Sequence, residues 1–239
     1  MTGGGDIGAA VVSALCQHGA DVTVWDRHPQ VLEGLPEGVA GRVVDVTSDS
    51  AIASATDAMI DARGRIDVLV NTAGILTSAA VAEMSTDRWH QTIEVNLSGV
   101  FRCCRAVVPP MIKRGSGSIV NISSTGGLRG AADHGHYCAS KFGVIGLSES
   151  LALEVGQHGI RVNCICPGAV SSEMNTAMLT AMAGSNGSSY EAVEESIIGK
   201  TALRRLVEPA DVANAAVFLA SDLSSCITGI ALPVSGGLF

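Results

Sequence analysis

The apolar positions of this chain fall into short β-rich runs separated by stretches with helical patterning, and the two kinds of run alternate along its length. Ile7 to His18 reads as a helix ended by Gly19, and Asp21-Val-Thr-Val-Trp25 as a strand. Gly41 to Asp45 predicts a second strand, and Ser50 to Arg63 a helix with Gly64 as its C-cap. Asp67 to Asn71 predicts a strand. Thr86 to Arg114 predicts a long helical stretch with a break near Ser98-Gly99. Ser118 to Ser123 follows as a strand, Tyr137 to His158 as a helix and Arg161 to Cys166 as a strand. Pro209 to Ser221 and Ile230 to Val234 close the series as a helix and a last strand.

Such alternation builds βαβ units, and hence a doubly wound, mostly parallel sheet covered on both faces. The expected class is therefore α/β and Rossmann-like, in one domain over residues 1–239, a length that suits a single large core. Gly184-Ser-Asn-Gly-Ser-Ser189 has the most flexible composition and is expected as a mobile loop within a lid of about 174–199.

Hydrophobic residues make up 47% of the chain and charged residues 16%, a balance that suits a compact core rather than disorder. No apolar run reaches the ~20 residues needed to span a bilayer, so no membrane segment is expected. No basic segment leads into an apolar one at the start, so a cytoplasmic location is expected. A net charge of −8 with no basic stripe argues against nucleic acid as a partner. The seven cysteines include no C-x-x-C pair, and they read as buried free thiols with no metal site.

Two regions carry candidate chemistry. Thr2-Gly-Gly-Gly-Asp-Ile-Gly8 precedes a helix, where glycines allow a tight turn and close approach of the backbone to a pyrophosphate. Asp26 closes the next strand, where a carboxylate can bind both ribose hydroxyls of NAD and repel the 2′-phosphate of NADP. Arg27 beside it leaves some use of NADP open. Asp45-Val46 and Asn71-Thr-Ala-Gly-Ile75 also stand at carboxyl ends of strands, where open α/β sheets bind ligands.

The second region is Tyr137-Cys-Ala-Ser-Lys141, whose Tyr and Lys lie four apart on one helical face. An ammonium near a phenol favours the phenolate and makes the tyrosine a workable acid/base. Ser124, at the end of a strand, places a hydroxyl that can hold a substrate oxygen near Tyr137.

Together these pieces resemble the short-chain dehydrogenase/reductases, in their single-domain form. The matching segments run in order from the Thr2–Gly8 turn through Asp26, Asp45, Asn71-Thr-Ala-Gly74, Asn96, Asn121-Ile-Ser-Ser124 and Tyr137-x-x-x-Lys141 to Pro167-Gly168 and Ile227-Thr-Gly229. The resemblance implies an NAD-preferring oxidoreductase that interconverts a secondary alcohol and a ketone. Tyr137 would be the acid/base, Lys141 would lower its pKa and hold the nicotinamide ribose, Ser124 would orient the substrate oxygen, and Asn96 would anchor a relay water. Gly3, Asp6, Ile7, Gly8, Asp26, Arg27, Asp45, Val46, Asn71, Ala73 and Gly74 would line the cofactor groove, with Pro167, Gly168, Val170 and Ser172 around the nicotinamide. A homotetramer or homodimer paired through Val100–Arg114 and Tyr137–His158 is also implied.

Met174, Met178, Leu179 and Met182 either shape an apolar substrate site or pack on the sheet. His134, His136 and the Arg204-Arg205 pair are further candidates for substrate contact.

The chain departs from the family pattern in three places. The family's first strand precedes the Thr-Gly turn, whereas here the turn follows directly on Met1, so its neighbours are expected to face a gap. Each unpaired backbone group there costs on the order of 1–3 kcal/mol if buried. The turn is one residue shorter than T-G-x-x-x-G-I-G, with Asp6 where the middle glycine stands, and an acid beside a pyrophosphate repels it unless it points away. Ser235 replaces the acidic residue that often precedes the final Gly-Gly. Two other readings stand beside the first: an NADPH-dependent 3-oxoacyl thioester reductase, against which Asp26 speaks, and a non-catalytic or degenerate scaffold, prompted by the missing strand and Asp6.

Overall fold

In the computed structural model, which describes residues 1–238, the strands are β1 (Thr23–Asp26), β2 (Ala40–Val43), β3 (Val68–Asn71), β4 (Gly117–Ile122), β5 (Ile160–Pro167) and β6 (Ala231–Val234). All ladders among the described residues are parallel, in the orders β1-β2 and β3-β4-β5-β6. The helices between them are α1 (Asp6–Gln17), α2 (Pro29–Glu33), α3 (Asp49–Arg63), α4 (Thr86–Ile93), α5 (Gly99–Arg114), α6 (Gly135–Val155), α7 (Glu173–Asn186), α8 (Tyr190–Lys200) and α9 (Pro209–Ala220).

The expected gap between β1 and β3 is spanned at the level of the glycine turn. Thr2 forms parallel bridges to both Trp25 and Asn71. Its N–H donates to Val70 O at 3.0 Å, and its carbonyl accepts from Thr72 N–H at 3.0 Å. On the other side, Trp25 N–H donates to Met1 O and Gly3 N–H to Trp25 O, both at 2.8 Å. Met1, Thr2 and Gly3 thus join the two ladders into one layer, and the expectation that both neighbours lack partners is corrected at this level.

The sheet is covered on two sides. Val11, Val70, Val120, Ile165 and the inward face of α9 make one core. Trp25, Leu69, Met111, Ile119, Val144 and Val162 belong to the other, against α3, α5 and α6. The central strands are apolar almost continuously, and Val162, Ile165 and Ile119 are fully enclosed, as a sheet buried on both faces requires.

Two elements differ from expectation. The break near Ser98-Gly99 is a π-helical turn over Glu94–Ser98 that joins α4 to α5 without interruption. The segment 174–199, expected as a lid with a mobile loop at Gly184–Ser189, is a pair of helices, and α7 runs on to Asn186. Leu179, Ala183 and Val193 form their own small core with Met178, Met182, Tyr190 and Ile197. Gly187, at φ 64°, takes the left-handed conformation that ends α7.

Candidate active site

Two adjoining cavities open at the carboxyl ends of the strands. The first, about 220 Å³, runs from the glycine turn past Asp26, Arg27, Asp45 and Val46 to Ala73 and Gly74. The second, about 390 Å³, is lined by Ser124, Tyr137 and the start of the lid. Ile7, Thr72, Ser172 and Met174 border both, so the two are continuous.

The shortened turn is packed to the limit. Gly3, at φ 80°, lies where a Cβ would come within 2.7 Å of Ala73 N, and a Cβ on Gly8 would overlap the Gly3 carbonyl. Thr72 Oγ1 donates to Gly3 O at 2.7 Å and fixes the turn from below. Gly5, the N-cap of α1, supplies no side chain, so the first N–H groups of a 12-residue helix stay available at this end of the cleft. An uncapped helix start, a turn that admits only glycine and a carboxylate at the end of β1 together fit a dinucleotide pyrophosphate and ribose.

Asp26 lies in this cleft and also serves as a turn residue. Its Oδ2 accepts from Gly4 N–H and its Oδ1 from His28 N–H, each at 2.8 Å. Each oxygen keeps a lone pair for a further donor. Asp45 accepts from the N–H and the hydroxyl of Thr47, each at 2.8 Å, and chiefly the N–H holds its carboxyl below the usual carboxylate value.

Several expected positions lie elsewhere. Asn71 is buried within the sheet and donates to Asn121 Oδ1 at 2.8 Å; Asn121 in turn donates to Ser148 Oγ at 2.8 Å. Asn71 is a strut between β3 and β4, and it borders neither cavity. Pro167, Gly168 and Val170 line the second cavity rather than the first, while Ser172 touches both. Trp25, His28, Thr72, Ile75 and Val95 line the first cavity without having been singled out. Thr72 and Ile75 carried a signal, their place inside Asn71-Thr-Ala-Gly-Ile75.

Ser124 and Tyr137 line the second cavity, and Lys141 is buried beside the Tyr137 ring. Gly126 packs between two of them: a Cβ there would sit 3.3 Å from Tyr137 Cε1 and 3.4 Å from Ser124 Oγ. Burial pushes the Tyr137 phenol above its ordinary value, and the Ser124 hydroxyl pulls the other way. Lys141 Nζ lies 5.7 Å from the Tyr137 ring centroid and donates to Ile122 O at 2.9 Å. Its burial pushes its pKa down to about 8. Desolvation is thus the largest influence on the phenol, and it favours the protonated form.

Asn96 sits in the π-helical turn with its side chain fully employed. Its Oδ1 accepts from Ile75 N–H at 2.8 Å, and its Nδ2 donates to Ile75 O at 2.9 Å and Ser140 Oγ at 3.2 Å. A relay water would therefore have to use its main chain. A Cβ on Gly74 would fall 3.4 Å from Asn96 Oδ1 and 3.6 Å from Lys141 Nζ, so these side chains meet beneath Gly74.

Met174 and Met178 face the second cavity, whereas Leu179 is fully buried and Met182 packs within the lid. Leu179 and Met182 therefore pack between α7 and α8 rather than on the sheet. His134 borders this cavity; His136 is enclosed and paired through Nε2 with Thr77 Oγ1 at 2.7 Å. Arg205 holds Asp211 through two contacts of 2.6 and 3.0 Å, and neither it nor Arg204 reaches the cavities.

Comparison with known proteins agrees with this geometry. A family model described as enoyl-(acyl carrier protein) reductase matches residues 4–239. A 3-oxoacyl-[acyl-carrier-protein] reductase FabG of Chlamydia muridarum is 36% identical, over 100% of this chain and 95% of its own. A 3-alpha-(or 20-beta)-hydroxysteroid dehydrogenase of Mycobacterium bovis is 41% identical, over 97% of this chain and 84% of its own. Among solved structures, an actinorhodin polyketide ketoreductase variant with NADPH aligns with a TM-score of 0.94 at 34% identity, covering 99% of this chain and 95% of that one.

The chain belongs to the short-chain dehydrogenase/reductase family. It is an oxidoreductase of the class that interconverts CH–OH and C=O groups.

Proposed function

We propose that this protein is an NAD-preferring dehydrogenase/reductase of secondary alcohols and ketones whose carbon frame is apolar or alicyclic. The observation that carries the reading is that Ser124 and Tyr137, with Lys141 buried beside the Tyr137 ring, line an apolar cavity bordered by Met174 and Met178 that adjoins the Asp26-lined cleft. When bound, the nicotinamide accepts or supplies the hydride.

The protein's own residues handle binding and the proton. Ser124 Oγ holds the substrate oxygen, and Tyr137, kept protonated by burial, donates a proton to a carbonyl oxygen or recovers it from a hydroxyl. Lys141, fixed by the Ile122 carbonyl, places positive charge beside the ring and on the ribose side of the junction. Asn96 acts by holding Ile75, and through it the Gly74 strand end, against Lys141. The Asp26 carboxylate selects against a 2′-phosphate. Seven free cysteines and the acidic balance suit a cytoplasmic setting.

Exposed Phe101 on α5 and Phe142 and Leu153 on α6, the last 87% accessible, support pairing of subunits through these helices. The FabG relative and the NADPH-bearing ketoreductase favour a second reading, reduction of 3-oxoacyl thioesters with NADPH. Initial rates with NAD and NADP on a panel of alicyclic and aliphatic secondary alcohols, and with both reduced cofactors on acetoacetyl thioester, separate the two. The first reading predicts at least tenfold higher kcat/KM with the non-phosphorylated cofactor. Efficient thioester turnover with NADPH alone contradicts it.

A further inference from the structure

Asp6 stands where the family places a glycine, in the first turn of α1 and on the wall of the cofactor cleft. Its Oδ2 accepts from the N–H of Glu173 at 2.7 Å, a contact 167 residues away in sequence. Glu173 is the first residue of α7, the leading helix of the lid. The next free donors of α7 are partly served by Ser172, whose Oγ accepts from Asn175 N–H at 3.2 Å. One carboxylate therefore lies at two helix starts at once: it belongs to α1 and caps α7. Met174, Asn175 and Met178, immediately beyond the contact, line the substrate cavity.

From this we infer that Asp6 is a positioning residue that latches the lid to the glycine turn and weakens dinucleotide binding by its charge. The inference rests on the reading that the cleft takes a nicotinamide dinucleotide. The capping contact fixes where α7 begins and hence where Met174 and Met178 face the reacting centre. The same negative charge sits in the turn whose N–H groups face an incoming pyrophosphate, so two like charges share one helix start. The two roles are separable. Asparagine at position 6 keeps an oxygen to accept from Glu173 and removes the charge, whereas alanine removes both.

The test uses the full chain as wild type, Asp6→Asn and Asp6→Ala, with two readouts. The first is amide hydrogen exchange of residues 173–178 without cofactor, and the second is NADH affinity by fluorescence titration at low and high salt. Exchange is expected to rise by about fivefold or more in Asp6→Ala and to stay within about twofold in Asp6→Asn. Both variants are expected to bind NADH about three- to tenfold tighter than wild type at low salt, the difference shrinking at high salt. A contact with a merely structural role would not tighten NADH when lost. Unchanged exchange in Asp6→Ala overturns the latch, and equal or weaker NADH binding by both variants overturns the charge effect. Absence of NADH binding by all three proteins, wild type included, sinks the dinucleotide reading itself and the charge effect with it. The exchange result still decides the latch.

Discussion

Lys141 Nζ stands 5.7 Å from the centroid of the Tyr137 ring while donating to the main-chain oxygen of Ile122. The two side chains share one desolvated space, and burial drives them in opposite directions. The ammonium is weakened to about 8 and the phenol is raised above its ordinary value. At neutral pH the tyrosine is an acid with its proton in place.

This polarity sets the pH dependence of the reaction. Carbonyl reduction consumes the Tyr137 proton and should run well at pH 6–8, falling only once the phenol ionises. Alcohol oxidation needs that proton removed, so its kcat should climb from pH 7 into the alkaline range, by about tenfold per unit where a single proton limits it. Steady-state pH profiles in both directions check this. An oxidation rate flat from pH 6 to 10 would contradict it.

Lys141 also bears on stability. Its folded pKa, about 8, lies below the 10.5 of an unburied lysine. Between these values the unfolded chain holds a proton that the folded chain has released, so stability rises with pH through that window. Below pH 8 the folded protein carries the buried charge at a cost of at most about 3 kcal/mol. Replacing Lys141 with Met removes that cost but leaves the Ile122 carbonyl unpaired, which returns about 1 kcal/mol. The variant should therefore be inactive yet about 1–2 kcal/mol more stable at pH 7, an advantage that fades toward pH 10. Urea unfolding at pH 7, 8.5 and 10 measures it; a variant less stable at pH 7 would count against the account.

Asn96 offers a case where structure and activity fall together. Asn96→Ala strands the N–H and carbonyl of Ile75 and releases Ser140. A loss of about 2–4 kcal/mol in unfolding free energy is expected, with activity falling as the Gly74–Ile75 segment drifts from Lys141. A change below about 0.5 kcal/mol would show that the π-helical turn does not hold this strand end.

Much of this was legible in the chain itself. The strands from β3 to β6 and the helices α1, α3, α6 and α9 follow the alternation of apolar runs, with ends shifted by a few residues at most. Ser124, Tyr137 and Lys141 could be named because strand end and helical spacing confine them to one place. The direction of the Asn71 side chain was left open for a physical reason. A residue at a strand end can point into the groove or into the sheet, and only the pairing with Asn121 decides which. The helices α7 and α8 were missed because Gly184 to Ser189 resembles a loop, whereas Gly187 ends α7 and Ser189 caps α8, two helices that bury Leu179 against Val193. The bridging of β1 and β3 by Met1, Thr2 and Gly3 depends on long-range backbone bonds that no local pattern encodes.

Asp26 should govern cofactor choice, with a side effect. Its Oδ2 also holds Gly4 N–H, so Asp26→Ser should loosen the turn while removing the charge. NADH affinity is expected to fall by about tenfold, about 1.4 kcal/mol, and the NADH:NADPH preference to narrow by at least as much, since Arg27 remains. Fluorescence titration with both cofactors checks it. An unchanged preference would move selection away from this carboxylate.

The central claim is that Tyr137 transfers the substrate proton in a nicotinamide-dependent reaction. The most direct test compares wild type with Tyr137→Phe in NADH-linked turnover of the best alcohol or ketone from the panel, with NADH affinity measured on both. The account predicts a kcat lower by about 10²–10⁴-fold in the variant, with NADH affinity within about threefold. Turnover in the variant within a few-fold of wild type would contradict it.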